Sequence, residues 1–275
     1  MTLTSEIQVN TTETPLLPHP DSQQYAFFFD VDGTLAEIRD EPDAVSIPPE
    51  VRQHLQALFT ASSGALALIS GRPVEQLDQL VAPLILPAAG VHGAEMRDGE
   101  GQFHRVTLPA QMAKDVEQTL AAGMEKLPGT LLEVKGMAFA LHYRQAMLHQ
   151  QHVLELAESV VAKHPELVLQ PGKCVIEIKP RGKDKGAAIY DFMQQPPFAG
   201  RLPVFVGDDL TDEKGFEVVN ALSGISVKVG EGLSLAKYRV KHVRDVYQWL
   251  GTLQRHAALS SSTTHTNTHT KESHS

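Results

Sequence analysis

Tyr25–Phe29 is an unbroken apolar run, four aromatic rings and one alanine, that ends at Asp30. A run without polar interruption predicts a strand covered on both faces, as in a parallel sheet. Helical spacing follows at residues 48–59, with Pro48 and Pro49 in the first turn and Val51, Leu55, Leu58 and Phe59 on one side. A second buried strand is predicted at 65–69, a helix at 73–80 and a third strand at 84–88, leading into a loop at 90–95. Strand–helix alternation of this kind builds an α/β layer.

The rhythm then changes. Residues 110–127 read as a helix, and the alternating stretches 130–135 and 138–144 flank Gly136-Met137, a hairpin signal. A helix at 148–163 and a second hairpin, 167–170 and 174–179 around Pro171-Gly172-Lys173, complete an α-β-β-α-β-β order. That order predicts a separate antiparallel layer inserted into the α/β domain. From 185 the first rhythm resumes: helix 185–193, strand 203–206, helix 213–220, strand 226–229 and a last helix from 243 through 249. The expected division is a core of 24–107 and 181–257 and an inserted layer of 108–180, with hinges near 106–109 and 179–183. Residues 1–23 and 258–275 are polar and are expected to be loose, the second stretch including His265, His269 and His274.

Composition narrows the function classes. A chain of 275 residues that is 42% hydrophobic and 21% charged can build real cores. Its formal net charge of −9 speaks against a nucleic-acid or anionic-membrane surface. One cysteine, Cys174, allows no internal disulfide. The amino terminus lacks the pattern of a secretory signal, and the most apolar stretch is broken by Pro83 and Pro87. A cytoplasmic monomer is the expectation.

The chemistry sits at strand ends. Asp30-Val31-Asp32-Gly33-Thr34 follows the aromatic strand, where α/β sheets bind ligands. Two carboxylates spaced by one residue on a turning chain can face one cavity, one to attack and one to carry a proton. After the strand at 203–206 comes Gly207-Asp208-Asp209-Leu210-Thr211-Asp212-Glu213, a carboxylate cluster that calls for a cation, with hard oxygen ligands favouring Mg²⁺. Ser70-Gly71-Arg72-Pro73 offers a hydroxyl, backbone N–H groups and a guanidinium at a helix start, a place for phosphate. The stretch 181–186 supplies an ammonium, from Lys183 or Lys185.

Four such elements in this order resemble the motifs of the haloacid dehalogenase superfamily of phosphatases, over roughly residues 25–250. The resemblance implies a Rossmann-like parallel-sheet core with an inserted α+β cap. It implies Asp30 as nucleophile, Asp32 as acid/base, and Ser70, Gly71, Arg72 and Lys185 as the phosphate holders, with Lys183 as the other candidate lysine. Mg²⁺ would be held by Asp30, the Asp32 carbonyl and Asp208, supported by Asp209 or Asp212.

Within that superfamily the chain resembles the trehalose-6-phosphate phosphatases through Ser70-Gly71-Arg72-Pro73, Gly90-Val91-His92-Gly93-Ala94-Glu95, GDDLTDE, Leu132-Glu133-Val134-Lys135 and His142-Tyr143-Arg144. This implies hydrolysis of trehalose 6-phosphate, the last step of trehalose biosynthesis, with Arg72, His92, Glu133, Lys135, His142 and Arg144 binding substrate. Parity places Glu133 with Lys135, and His142 with Arg144, each pair on one face of its strand. On pattern alone a solvent-facing strand pair is the simpler account; the resemblance reverses it. The rivals are a phosphatase for sucrose phosphate or mannosylphosphoglycerate, and a catalytically silent sugar-phosphate sensor.

Overall fold

The computed structural model describes residues 17–39 and 44–266. In chain order it carries β1 (Tyr25–Phe29), α1 (Pro49–Ala61), β2 (Leu66–Ile69), α2 (Val74–Val81), β3 (Ala88–Gly90), β4 (Glu95–Arg97) and β5 (Phe103–Arg105). There follow α3 (Ala110–Met124), β6 (Leu131–Val134), β7 (Phe139–His142), α4 (Gln150–Val161), β8 (Leu167–Gly172) and β9 (Val175–Pro180). The chain continues with α5 (Lys185–Met193), β10 (Leu202–Gly207), α6 (Glu213–Ala221), β11 (Ile225–Val229), β12 (Tyr238–Val240) and α7 (Val243–Thr266). The α/β fold class is as expected from the sequence.

The large sheet has the order β12-β11-β10-β1-β2-β3-β4-β5, parallel from β12 to β3 and antiparallel beyond. Its central strands β1, β2 and β10 are apolar because both faces are covered there. Phe27 and Phe29 pack with α1, α2 and α7 through Leu55, Leu77 and Leu250. Phe28 points the other way, against Phe192 of α5 and Phe198 of the segment that follows it. Each buried ring contributes about 1.5–3 kcal/mol relative to exposure. β1 and β10 are neighbours whose connections run to opposite sides, to β2 and to β11, and a crevice opens at their carboxyl ends.

The second sheet is antiparallel, in the order β6-β7-β9-β8. One face is apolar: Leu141, Ile176 and Ile178 pack on α3 through Leu120 and on α4 through Val153 and Ala157. By strand alternation the opposite face carries Glu133, His142, Gln170, Glu177 and Lys179.

Several expectations need correction. The third strand is Ala88–Gly90, not 84–88. Pro83 and Pro87 have no N–H for a ladder, and the Leu86 carbonyl accepts from the Arg97 guanidinium instead, at 3.1 Å from Nε. The hairpin β4–β5 and the strand β12 were not predicted; at three residues each they show no period to read. The second hairpin turns at Lys173-Cys174 rather than around Gly172, with Cys174 at φ 63°.

Residues 17–23 are anchored, not loose. Leu17 packs against the core, the Trp249 indole donates to the Pro18 carbonyl at 3.0 Å, and Arg201 donates to the Ser22 carbonyl at 3.0 Å. The last helix continues to Thr266, past the point at 258 where a loose tail was expected. Residues 1–16 and 267–275, with His269 and His274, lie outside the described residues. Among the described residues no helix is long and apolar enough to cross a membrane.

Candidate active site

A cavity of about 530 Å³ opens between the carboxyl ends of the parallel strands and the polar face of the second sheet. Every residue singled out in the sequence for a site lines it except Asp212, which has no exposed surface, and Lys183, the alternative lysine.

Asp30 continues β1: its N–H donates to the Val206 carbonyl at 2.9 Å, so the chain leaves the sheet only after this residue. Its carboxylate is 3% exposed and accepts from Lys185 Nζ at 2.8 Å. Lys185 is the first residue of α5, whose start is fixed by Asp184 accepting the Ala187 N–H at 2.8 Å. The ammonium donates also to Asp212 Oδ1 at 2.7 Å, and Asp212 Oδ2 accepts the N–H groups of Asp208 and Asp209 at 2.9 and 3.0 Å. Asp212 is therefore the hub of the motif after β10: one oxygen orients the lysine, the other shapes the loop that presents Asp208.

Carboxylate oxygens of Asp30, Asp208 and Asp212 lie within 4.8 Å of one another. The electrostatics record the crowding. Burial pushes Asp30 well above the ordinary carboxylate range, against the pull of Lys185 and with the push of Asp212 and Asp208. Asp208 is driven up to about 7, by burial first and then by Asp212 and Asp209. Lys185 stands well above its usual value because Asp212 and Asp30 outweigh its burial. Such a group of hard oxygens, short of positive charge, matches what a divalent cation needs.

The alternatives left open in the sequence occupy different places in the structure. Lys185 is in the site, whereas Lys183 lies outside the cavity, 3.8 Å from Asp191. Asp212 joins the carboxylate group; Asp209 spends its Oδ1 on the N–H and hydroxyl of Thr211, at 2.8 and 2.6 Å. Ser70 is buried at the end of β2 and its Oγ accepts the Arg72 N–H at 3.2 Å. Arg72 forks onto Asp32, with Nε at 2.7 Å and Nη2 at 2.8 Å from its two oxygens.

On the second sheet, His142 Nε2 lies 2.9 Å from Glu133 Oε2, and Lys135 Nζ reaches Glu177 Oε1 at 2.7 Å. Arg144 is exposed at the rim and donates to the Lys173 carbonyl at 3.4 Å. His92 is only 6% exposed, with Nε2 2.6 Å from Glu177 Oε2. Sequence reasoning missed Glu177 and Gln170. The signal was available: Ile176 and Ile178 alternate with Glu177 and Lys179, the same parity used for Glu133 and Lys135. Burial would raise Glu177, but His92 and Lys135 outweigh it and hold the carboxylate well below its usual range.

Known proteins bear on this arrangement. The E. coli trehalose-6-phosphate phosphatase is 55% identical over 239 residues, 87% of this chain and 88% of that one. A probable trehalose-phosphate phosphatase of Sinorhizobium fredii is 41% identical over 211 residues, 76% of this chain and 79% of its own. The C-terminal domain of a C. albicans trehalose-6-phosphate phosphatase superposes with a TM-score of 0.75 at 24% identity, covering 90% of this chain and 99% of that one, a likeness of fold. The profile of the trehalose-phosphatase family matches residues 28–244. A profile match over most of the chain, joined to a relative more than half identical along nearly its whole length, establishes that the chain belongs to the trehalose-phosphatase family.

Proposed function

We propose that this chain hydrolyses trehalose 6-phosphate to trehalose and inorganic phosphate through a phosphorylated Asp30. The observation that supports this most is the buried Asp30–Lys185–Asp212 chain set opposite a sheet face of hydrogen-bonding side chains. Residues 108–180 act as the cap, with Glu133, Lys135, His142 and Glu177 reading sugar hydroxyls.

Asp30 attacks phosphorus in line, forming an oxygen–phosphorus bond as the bond to the sugar oxygen breaks. Asp32 gives that departing oxygen a proton, then takes one from the water that cleaves the aspartyl phosphate. Lys185, the Ser70 hydroxyl and nearby backbone N–H groups neutralise the transferring oxygens. In this structure Arg72 holds Asp32; an arriving phosphate competes for the guanidinium and frees Asp32 for proton work. Asp30, Asp208 and Asp212 fit Mg²⁺, which when bound supplies positive charge against the phosphoryl oxygens. A silent sensor is disfavoured by Asp30 and Asp32, since binding alone needs no buried nucleophile.

The test is phosphate release from trehalose 6-phosphate, sucrose 6-phosphate and glucose 6-phosphate, each with Mg²⁺ and with EDTA. Release from the trehalose ester that EDTA abolishes is the expected result; release only from another ester keeps the Asp30 chemistry and discards the sugar.

Gly33 offers a second check. A Cβ there would lie 2.2 Å from Asp208 Oδ2, and its φ of 81° is a conformation that suits glycine. Gly33→Ala should therefore displace Asp208 and lower turnover roughly 100-fold, the usual cost of a misplacement near 1 Å. Wild-type turnover in that variant would show that Asp208 does not need its present position.

A further inference from the structure

Among the described residues the second sheet meets the core through an apolar cluster of Met137 and Ala138 with Val91 and Ala94, and through polar contacts beside it. Lys135 Nζ donates to the Gly71 carbonyl at 3.4 Å, Gln170 Nε2 lies 3.3 Å from His92 Nδ1, and His92 Nε2 lies 2.6 Å from Glu177 Oε2. All three polar contacts end on the loops after β2 and β3. The first of these loops carries Ser70 and Arg72.

His92 is held at a cost in backbone conformation. Val91 and His92 have φ of 48° and 53°, and Gly93 follows at 91°. A β-branched residue at positive φ is a true outlier, kept only where the surroundings demand it. That backbone sets the imidazole close against Gly71, where an added Cβ would stand 2.7 Å from Nε2, and within 2.6 Å of Glu177. Glu177 thus has a group on each side: Lys135 Nζ donates to Oε1 at 2.7 Å, and His92 Nε2 stands 2.6 Å from Oε2. Burial lowers the His92 pKa; of the charged groups facing it, Glu177 favours the protonated form, while Lys185 and Lys179 add to the lowering. Lys179 is buried, and its Nζ has no hydrogen-bond partner among the described residues.

We infer that His92 is a positioning residue that clasps the cap to the phosphate-holding loop by fixing the Glu177 carboxylate, rather than a group that reads the sugar itself. The inference rests on the proposed function above for the role of Glu177. Its physical content is that cap closure and the placement of a sugar-reading carboxylate are one event. A substrate seated against Glu177 then favours the closed arrangement around Ser70 and Arg72.

Two variants test it. His92→Asn tolerates positive φ but is too short for Glu177; His92→Gln suits that backbone less well but keeps an N–H donor of similar reach. In ligand-free protein, hydrogen–deuterium exchange of Val175–Pro180 should quicken about tenfold in His92→Asn. His92→Gln should recover most of that protection. With substrate, His92→Asn should raise KM for trehalose 6-phosphate by about tenfold or more, and the loss should exceed that on p-nitrophenyl phosphate, an ester without a sugar.

If His92→Gln is no better than His92→Asn, backbone strain and not the Glu177 contact is what the position serves, and the inference falls. It falls equally if His92→Asn exchanges like wild type, or if both esters lose alike. The exchange readout needs no substrate, so a wild-type enzyme inactive on trehalose 6-phosphate overturns the substrate reading while exchange still decides the clasp.

Discussion

Asp30→Asn should remove turnover while leaving the protein at least as stable as wild type. The change is isosteric: the amide oxygen can still accept from Lys185 Nζ, which keeps its second contact at Asp212 Oδ1, 2.7 Å away. What disappears is the nucleophile, and loss of a nucleophile lowers kcat by roughly 10⁴-fold or more. What also disappears is a cost. Asp30 is 3% exposed, raised above its ordinary pKa by burial and by the neighbouring carboxylates of Asp212, Asp208 and Asp209. An amide carries no charge to desolvate or repel, so the metal-free unfolding midpoint at pH 8 should equal or exceed that of wild type. Loss of activity with gain of stability is what a group kept for chemistry predicts. Turnover near the wild-type rate would overturn Asp30 as nucleophile. A large fall in the midpoint would mean that its charge is structural.

The core was legible because its signals are redundant. Tyr25–Phe29 is apolar at every position and is followed at once by two carboxylates, so strand and site are announced together. The motif after β10 was equally plain, although the division of labour within it was not. Spacing alone left Asp209 and Asp212 level; what separates them is that Asp212 turns inward to Lys185 and two backbone N–H groups while Asp209 caps the turn that leads into α6. That distinction belongs to tertiary structure. The second sheet was read by period two, and the rule worked where it was applied. Glu177 escaped because parity was followed on one hairpin only.

Other misses have a different origin. β4, β5 and β12 are too short to show a period, and β4 forms because the chain returns beside β3, a long-range pairing with no local signature. The anchoring of residues 17–23 depends on Trp249 and Arg201, well over a hundred positions away along the chain. His92 is the instructive case. Its motif marked it as a site residue, and it does line the cavity, but its conformation and its contact with Glu177 could not be read from neighbours in sequence.

Lys185→Met should show how far one ammonium sustains the site. Lys185 is 3% exposed and is hydrogen-bonded to two buried carboxylates, so its removal leaves negative charge without a partner. Breaking a buried pair from one side costs about 3–5 kcal/mol, which in a chain of this size lowers the unfolding midpoint by roughly 10 °C. The deficit should grow with pH. Asp30 and Asp212 already have folded pKa values above their unfolded ones, and without Lys185 those values rise further. A carboxylate raised on folding binds its proton more tightly in the native state, so stability falls as pH rises from the unfolded pKa through the folded one. Protons therefore mask the loss at pH 5 and expose it at pH 8. Mg²⁺ should then stabilise the variant more than it stabilises wild type, because the cation takes over the missing charge. Turnover should still fall by roughly 100-fold or more even with metal, since one donor to the transferring oxygens is gone. Equal midpoints for the variant and wild type at pH 8 without metal would show that the carboxylates are not held by Lys185. A deficit that did not change with pH would place the loss in packing rather than in charge.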